Sequence, residues 1–359
     1  MNDKAPVGAS AGGGGTSSPP SDHQEPVPAG GSAGRRFLAS LGGGGGLGRM
    51  LGLIVALILI CLAGVLTAGD RFVDTNNVLT ILRAAAVLGV VSVGVTFVIT
   101  AGGIDLSVGS VLGLASVWAT TLATQRMAED THWLVMVFTA AAVGTAAGLV
   151  NGLIVAYGKV VSFIATLAML IAARGLAEII SGRSTQLVDT PGFEAFFDGD
   201  ILGVPTIVLI FAVVAAIAWV VLNRTTFGRR TVAVGGNAEA ARLAGINIKR
   251  HMVYVFALSG FTAGIAAVMM IGRTGAGTST HGMLLELDAI AAVVVGGTLL
   301  IGGRGTIIGT VLGVLIFKTL ENVFVLNNLS TSMQALVQGG IIVVAVLLQQ
   351  RFAVRGTSP

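Results

Sequence analysis

In a chain this apolar, chemistry has to come from a small number of polar side chains. Asp105 opens an apolar stretch, with Ser107 and Ser110 one turn apart behind it. Two readings stand side by side. After Gly102-Gly103, Asp105 can start a helix as its N-cap, accepting a free backbone N–H. Alternatively it gates or couples, because an ionisable group inside a membrane is costly and is kept where it works. Asn151, Ser162, Thr166 and Thr298 are the neutral amide and hydroxyl groups that suit a passing polyol. They suit equally well the bonding of one helix to its neighbour. Arg174 and Glu178 stand at i,i+4, and Lys318 and Glu321 at i,i+3, which predicts two local ion pairs. Arg83 lies near a span end, where a long cationic side chain can snorkel to the interface. Glu286 and Asp288 open another apolar stretch, either capping its helix or facing a partner outside.

Other chemistries find no support. His23, His132, His251 and His281 are scattered near loops and tails without metal-ligand spacing. The single cysteine, Cys61, sits in the first apolar span and cannot form an internal disulfide. No G-x-x-x-x-G-K-[ST] phosphate loop is present, so the chain should not hydrolyse ATP. Gly303-Arg304-Gly305 hints at a dinucleotide motif, but Ile308 occupies the third glycine position. No catalytic or metal residue is therefore expected.

The longest polar stretch between spans, residues 223–251, contains Gly235-Gly236-Asn237 followed by Glu239, Ala240, Ala241, Ala244, Gly245 and Ile246. Asn237 is a good N-cap, Glu239 complements the dipole of the first turn, and Gly245 is placed to end the helix. A helix over 238–244 is too short to be stable alone and must dock on something. Its alanines offer a small-residue surface suited to a groove on a partner. The plain alternative is a surface helix that only connects two spans.

The elements that must hold these residues are membrane helices. The 359 residues are 54% hydrophobic and 11% charged, against roughly 25% charged in soluble domains. The fold class predicted is an all-α integral membrane protein. Ten apolar stretches are long enough to span, at about 50–68, 78–99, 105–124, 133–156, 160–180, 204–222, 252–271, 285–301, 306–324 and 331–348. With the N-terminus cytoplasmic, one face collects Arg35, Arg36, Arg49, Lys159, Arg224, Arg229, Arg230, Arg242, Lys249, Arg250, Arg304, Arg351 and Arg355. The other holds only Arg71, Arg126, Arg183 and Arg273. That asymmetry predicts both termini in the cytoplasm and explains the net charge of +4 without nucleic acid. Residues 1–48 carry runs of glycine, serine and proline and are expected to be a disordered cytoplasmic tail ahead of a permease domain at 49–350. The loop 181–203 should carry a short helix near Gly192–Phe197.

Small-xxx-small spacing recurs at Gly109–Gly113, Gly148–Gly152, Gly260–Gly264 and Gly305–Gly309–Gly313, predicting close helix packing. Gly102-Gly103 with Gly109–Gly113 lines up without a gap against Gly302-Gly303 with Gly309–Gly313, a candidate parallel repeat.

Four stretches together resemble a known family. They are GGNAEAARLAGI at 235–246, VGVTFVITAGGIDLSVGSVLGLAS at 93–116, ELDAIAAVVVGGTLLIGGRGTIIGTVLG at 286–313, and NGLIVAYGKVVSFIATLAML at 151–170. They resemble ABC importer permeases of the ribose/xylose/arabinose/galactose branch over residues 50–350. Val161 stands where that family usually has proline, which puts the local kink in question. The resemblance implies a passive path for a monosaccharide in a bacterial cytoplasmic membrane. It implies a second permease copy, an external sugar-binding protein, and a cytoplasmic ATPase that binds ATP and magnesium and engages 235–246. The rival expectation is an ion- or proton-coupled transporter, which needs ionisable residues deep in the bundle.

Overall fold

The structure is a computed structural model that describes residues 46–354 apart from Pro191. The tail predicted at 1–48 lies outside the described residues except for its last three, which already belong to helix α1, Gly46–Ala68. Then follow α2 (Asp70–Val73) and α3 (Thr75–Thr100), α3 being capped by Asp74, whose carboxylate accepts from Asn76 N. Next come α4 (Val108–Ala119), α5 (Leu122–Asp130), α6 (Leu134–Ala156) and α7 (Ser162–Ser181). The loop predicted to hold a short helix contains α8, Phe193–Asp198, whose Phe193 and Phe197 stack edge-on to Trp133. After it come α9 (Thr206–Arg224), α10 (Thr226–Gly236), α11 (Ala238–Leu243) and α12 (Ile248–Thr274). The chain ends with α13 (Leu285–Val295), α14 (Ile307–Leu326) and α15 (Thr331–Val354). Two-residue strands pair β1 (Gln186–Leu187) with β4 (Ala276–Gly277) and β2 (Asp200–Ile201) with β3 (Val204–Pro205), both antiparallel.

Helices are the expected solution, since lipid offers no partner to an open backbone. Among the described residues, α1, α3, α6, α7, α9, α12 and α14 are long and apolar enough to cross a membrane. Three of the ten expected spans are not among these seven: 331–348 lies within α15, Thr331–Val354, and the other two are broken. The stretch 105–124 is not one helix: a turn at 101–102 and a non-helical segment at 103–107 lead into the twelve-residue α4, and then α5. The stretch 285–301 holds the eleven-residue α13 and then a non-helical loop. Glycine explains the breaks: Gly102 (φ 84°), Gly297 (φ 91°), Gly302 (φ 86°) and Gly303 (φ 76°) adopt backbone angles in which a β-carbon is strained. The two aligned glycine stretches thus share a local plan, a positive-φ glycine followed by a helix start at Val108 or Ile307.

Packing follows the small residues. A β-carbon on Gly144 would collide with Gly260 O, one on Gly148 with Phe256 O, and one on Gly264 with Ala140 O. Gly152 lies over Val253. The backbones of α6 and α12 therefore touch along several turns, the arrangement that favours association where lipid is as apolar as leucine. Gly309 and Gly313 seat α14 on Gly296 and Ala292 of the α13 segment, and Gly305 abuts the Thr100 hydroxyl. A buried Thr96–Thr310 hydroxyl bond of 2.8 Å joins α3 to α14. Val161 keeps an extended backbone (φ −58°, ψ 134°), so α7 starts cleanly without a proline.

Candidate functional site

The basic end of the bundle carries residues 223–251, and helices fill most of them. Asn237 closes α10 and caps α11, its Oδ1 accepting from Ala240 N at 2.9 Å. Gly245 (φ 81°) ends α11, and Ile246 N returns to Ala241 O. Glu239 bonds Arg242 on the exposed face and holds that guanidinium above its ordinary pKa. The small-residue surface divides in two. Ala241 is buried against Val234 and Phe227, so it anchors the helix and is not available to a partner. Ala240 and Ala244 stay exposed, joined by Leu243 at 77% exposure, which residue spacing alone did not single out.

Behind α11, Gly235 and Gly236 touch both broken regions. A β-carbon on Gly235 would overlap Thr100 O and come within 2.7 Å of Gly303 N. One on Gly302 would come within 2.8 Å of Gly235 O and 2.9 Å of Gly102 Cα. Gly303 N donates to Thr100 O at 2.9 Å. Three glycine pairs thus meet backbone to backbone, each from a different segment.

Asp105 is not the N-cap of α4. Ser107 holds that place, and Asp105 lies two residues earlier. Its Oδ1 accepts from Ser107 N (2.9 Å) and Ser107 Oγ (2.6 Å), and its Oδ2 from Ser259 Oγ (2.8 Å). Asn151 Nδ2 donates to Ser107 Oγ at 2.8 Å. Ser162 Oγ accepts from Ile104 N and Thr166 Oγ1 from Leu106 N, both at 3.1 Å, while Ser110 Oγ donates to Ser107 O. Six of the seven residues singled out from the sequence for a path or gate therefore form one knot, with α4's lead-in strapped to α6, α7 and α12. Thr298 is elsewhere, accepting from Thr306 N across the 296–306 loop. Ser259 was missed, since nothing in the local pattern of α12 marks it.

Two charge assignments change. Arg174 does not pair with Glu178. Its Nη1 donates to the carbonyls of Ser279 and His281, and Glu178 instead accepts from Arg183 at 2.9 Å. Lys318 does meet Glu321 (2.6 Å) and also Asp288 (3.6 Å). Gly109 and Gly113 face neither helix backbone nor lipid. A β-carbon on Gly109 would strike Glu286 Oε2 and Gly282 O, and one on Gly113 would approach Arg174 Nη1 and His281 O.

Residues 77–346 match the family described as branched-chain amino acid transport system / permease component. The ribose import permease protein RbsC of Bacillus subtilis is 38% identical over 307 residues, covering 85% of this chain and 92% of that protein. RbsC of Escherichia coli K12 is 40% identical over 300 residues, covering 82% and 92%. The L-arabinose ABC transporter permease protein AraH of Azospirillum brasilense is 36% identical over 301 residues, covering 83% and 86%. No solved structure matches.

Proposed function

The chain belongs to the branched-chain amino acid transport system / permease component family, and from that premise we infer that it is the permease subunit of an ABC importer whose cargo is a monosaccharide. It is a multi-pass inner-membrane protein, and its relatives are transport permeases. The family's name mentions amino acids, but the relatives carry ribose and arabinose in theirs, and this favours a neutral pentose or hexose. A neutral polyol also suits the hydroxyl and amide composition of the Asp105 knot. Buried Asp105 and Glu286 meet one requirement of a proton-coupled carrier, yet family membership speaks for the ATP-driven class.

In this reading the chain crosses the bilayer ten times, twice as a broken segment built around a short helix, with both termini cytoplasmic, and two copies pair in the bilayer. A sugar-binding protein delivers cargo from outside. A separate ATPase, holding ATP and magnesium, seats α11. The observation that carries the reading is the position of α11. Its outer face, Ala240, Leu243 and Ala244, is exposed, while its root at Gly235-Gly236 abuts the turns at Gly102 and Gly302. A motor can shift a conformational equilibrium only through contacts that differ between the states. Backbone touching backbone gives a displaced α11 a short route to both broken regions.

Ala240→Arg and Ala244→Arg test this, because arginine is nearly as good a helix former as alanine. Both variants should insert and fold yet lose ATPase co-purification or binding-protein-stimulated ATP turnover. Wild-type association and stimulation in both would reduce α11 to a connector.

A further inference from the structure

Segment 275–284 re-enters the bundle. A β-carbon on Gly277 would overlap the Thr120 hydroxyl, Ser116 Oγ donates to Thr278 O at 3.3 Å, and Gly282 packs on Gly109. The segment thus descends the length of α4, from its C-terminus to its N-terminus, and there turns into α13 through Leu284 (φ 63°). The first turns of two short helices consequently meet, with the Glu286 side chain against Gly109. Beside them Arg174 holds the descending segment by the carbonyls of Ser279 and His281. Because α7 runs Ser162–Ser181, Arg174 lies roughly 18 Å from one end of it and 10 Å from the other, at about 1.5 Å per residue. Thr166, bonded to Leu106 N, marks a level below, so Gly109 and Glu286 fall near the middle of the bundle.

Glu286 is 8% exposed, and its Oε2 is buried without a hydrogen-bond partner among the described residues. Buried polar atoms are almost always paired, and a carboxylate is the costliest to leave unpaired. A functional role accounts for the expense, since broken helices that meet at mid-depth are where carriers place cargo sites. The carboxylate sits by the first turns of α4 and α13, where helix dipoles favour an anion, and the Arg174 guanidinium attracts it electrostatically, but none of these supplies a donor to Oε2.

We propose that Glu286 is a cargo-contacting residue of the transport path, accepting a hydroxyl of a neutral sugar as α4 and α13 part, with Arg174 positioning the segment that lines it. This rests on the monosaccharide-permease reading and adds a residue to it. A vicinal diol supplies the donors that Oε2 lacks. The glycine at 109 then has a stated purpose, keeping α4 from covering the carboxylate.

The test uses the whole transporter, with ATPase and binding protein, in proteoliposomes loaded with ATP and presented with radiolabelled D-ribose, L-arabinose or D-allose. Glu286→Gln keeps the shape and removes the charge. It should assemble normally, keep binding-protein-stimulated ATP hydrolysis, and lower uptake by about tenfold to a hundredfold, the scale of one charge-assisted hydrogen bond. Glu286→Asp withdraws the carboxylate by one methylene and should change the ratio of uptake among the sugars, which a purely structural charge would not do. Wild-type uptake by Glu286→Gln overturns the proposal. So does failure of both variants to assemble, or a fall in hydrolysis that matches the fall in uptake. If the unmodified transporter moves none of the three sugars, the monosaccharide reading itself fails, and this proposal with it.

Discussion

Asp105 draws its anchorage from three donors on two segments, Ser107 N, Ser107 Oγ and Ser259 Oγ. A hydrogen bond contributes about 0.5–1.5 kcal/mol, and removing one partner leaves the other buried and unpaired at a cost of about 1–3 kcal/mol. Ser259→Ala should therefore lower the stability of the detergent-purified protein by about that amount, read as a drop in Tm with normal membrane insertion. An unchanged Tm would show that the Ser259 bond to Asp105 adds nothing to the fold. Residue spacing could rank Asp105, Ser107 and Asn151 as special, because a polar side chain in an apolar run stands out. It could not rank Ser259, since a serine in a helix satisfies itself on a nearby carbonyl as readily as on a distant carboxylate.

At the scale of elements, the glycine pairs behave differently according to what they touch. At Gly235 a β-carbon would land on the Thr100 carbonyl, whereas at Gly175 in α7 nothing lies within 4 Å. Gly235→Ala should cost about 1–3 kcal/mol through overpacking or be accommodated by shifting α10 from the Thr100 turn. Either way, uptake should fall in the reconstituted transporter. Gly175→Ala should be neutral or gain up to about 1 kcal/mol, since alanine is the better helix residue. Equal behaviour of the two variants would remove the basis for a backbone junction between α10 and the broken regions. The N-cap and end of α11 were readable from Asn237 and Gly245, because capping is a contact within a few residues. The longer α10 was not, since Gly235-Gly236 at its end argues locally against a helix.

For the whole molecule, apolar length marks what crosses the membrane and burial marks where it sits. About 6% of the apolar stretch of α1 is buried within this chain against 72% for α12, so α12 is the axis and α1 faces outward. The proposed sidedness is checked with single cysteines at Ser184 and Ser358 in a Cys61→Ala background. An impermeant thiol reagent applied from outside should label the first and spare the second; the reverse pattern would invert the topology.

The sequence by itself determined that this is a helical membrane protein, where most helices run, and which short helix is capped to stand at the basic end. These are local properties, read from runs of apolar residues and from groups a few positions apart. It also carried the family resemblance, because motifs such as GGIDLSVGS are contiguous. Only the tertiary structure decided that 105–124 and 285–301 are broken, since hydropathy is alike for a continuous span and for a short helix joined to a non-helical segment. It also decided that Arg174 reaches Ser279 and His281 in preference to Glu178, and that Gly109 leaves room for the Glu286 carboxylate. The local alternatives were of similar quality in each case, and contacts between residues far apart in the chain selected among them.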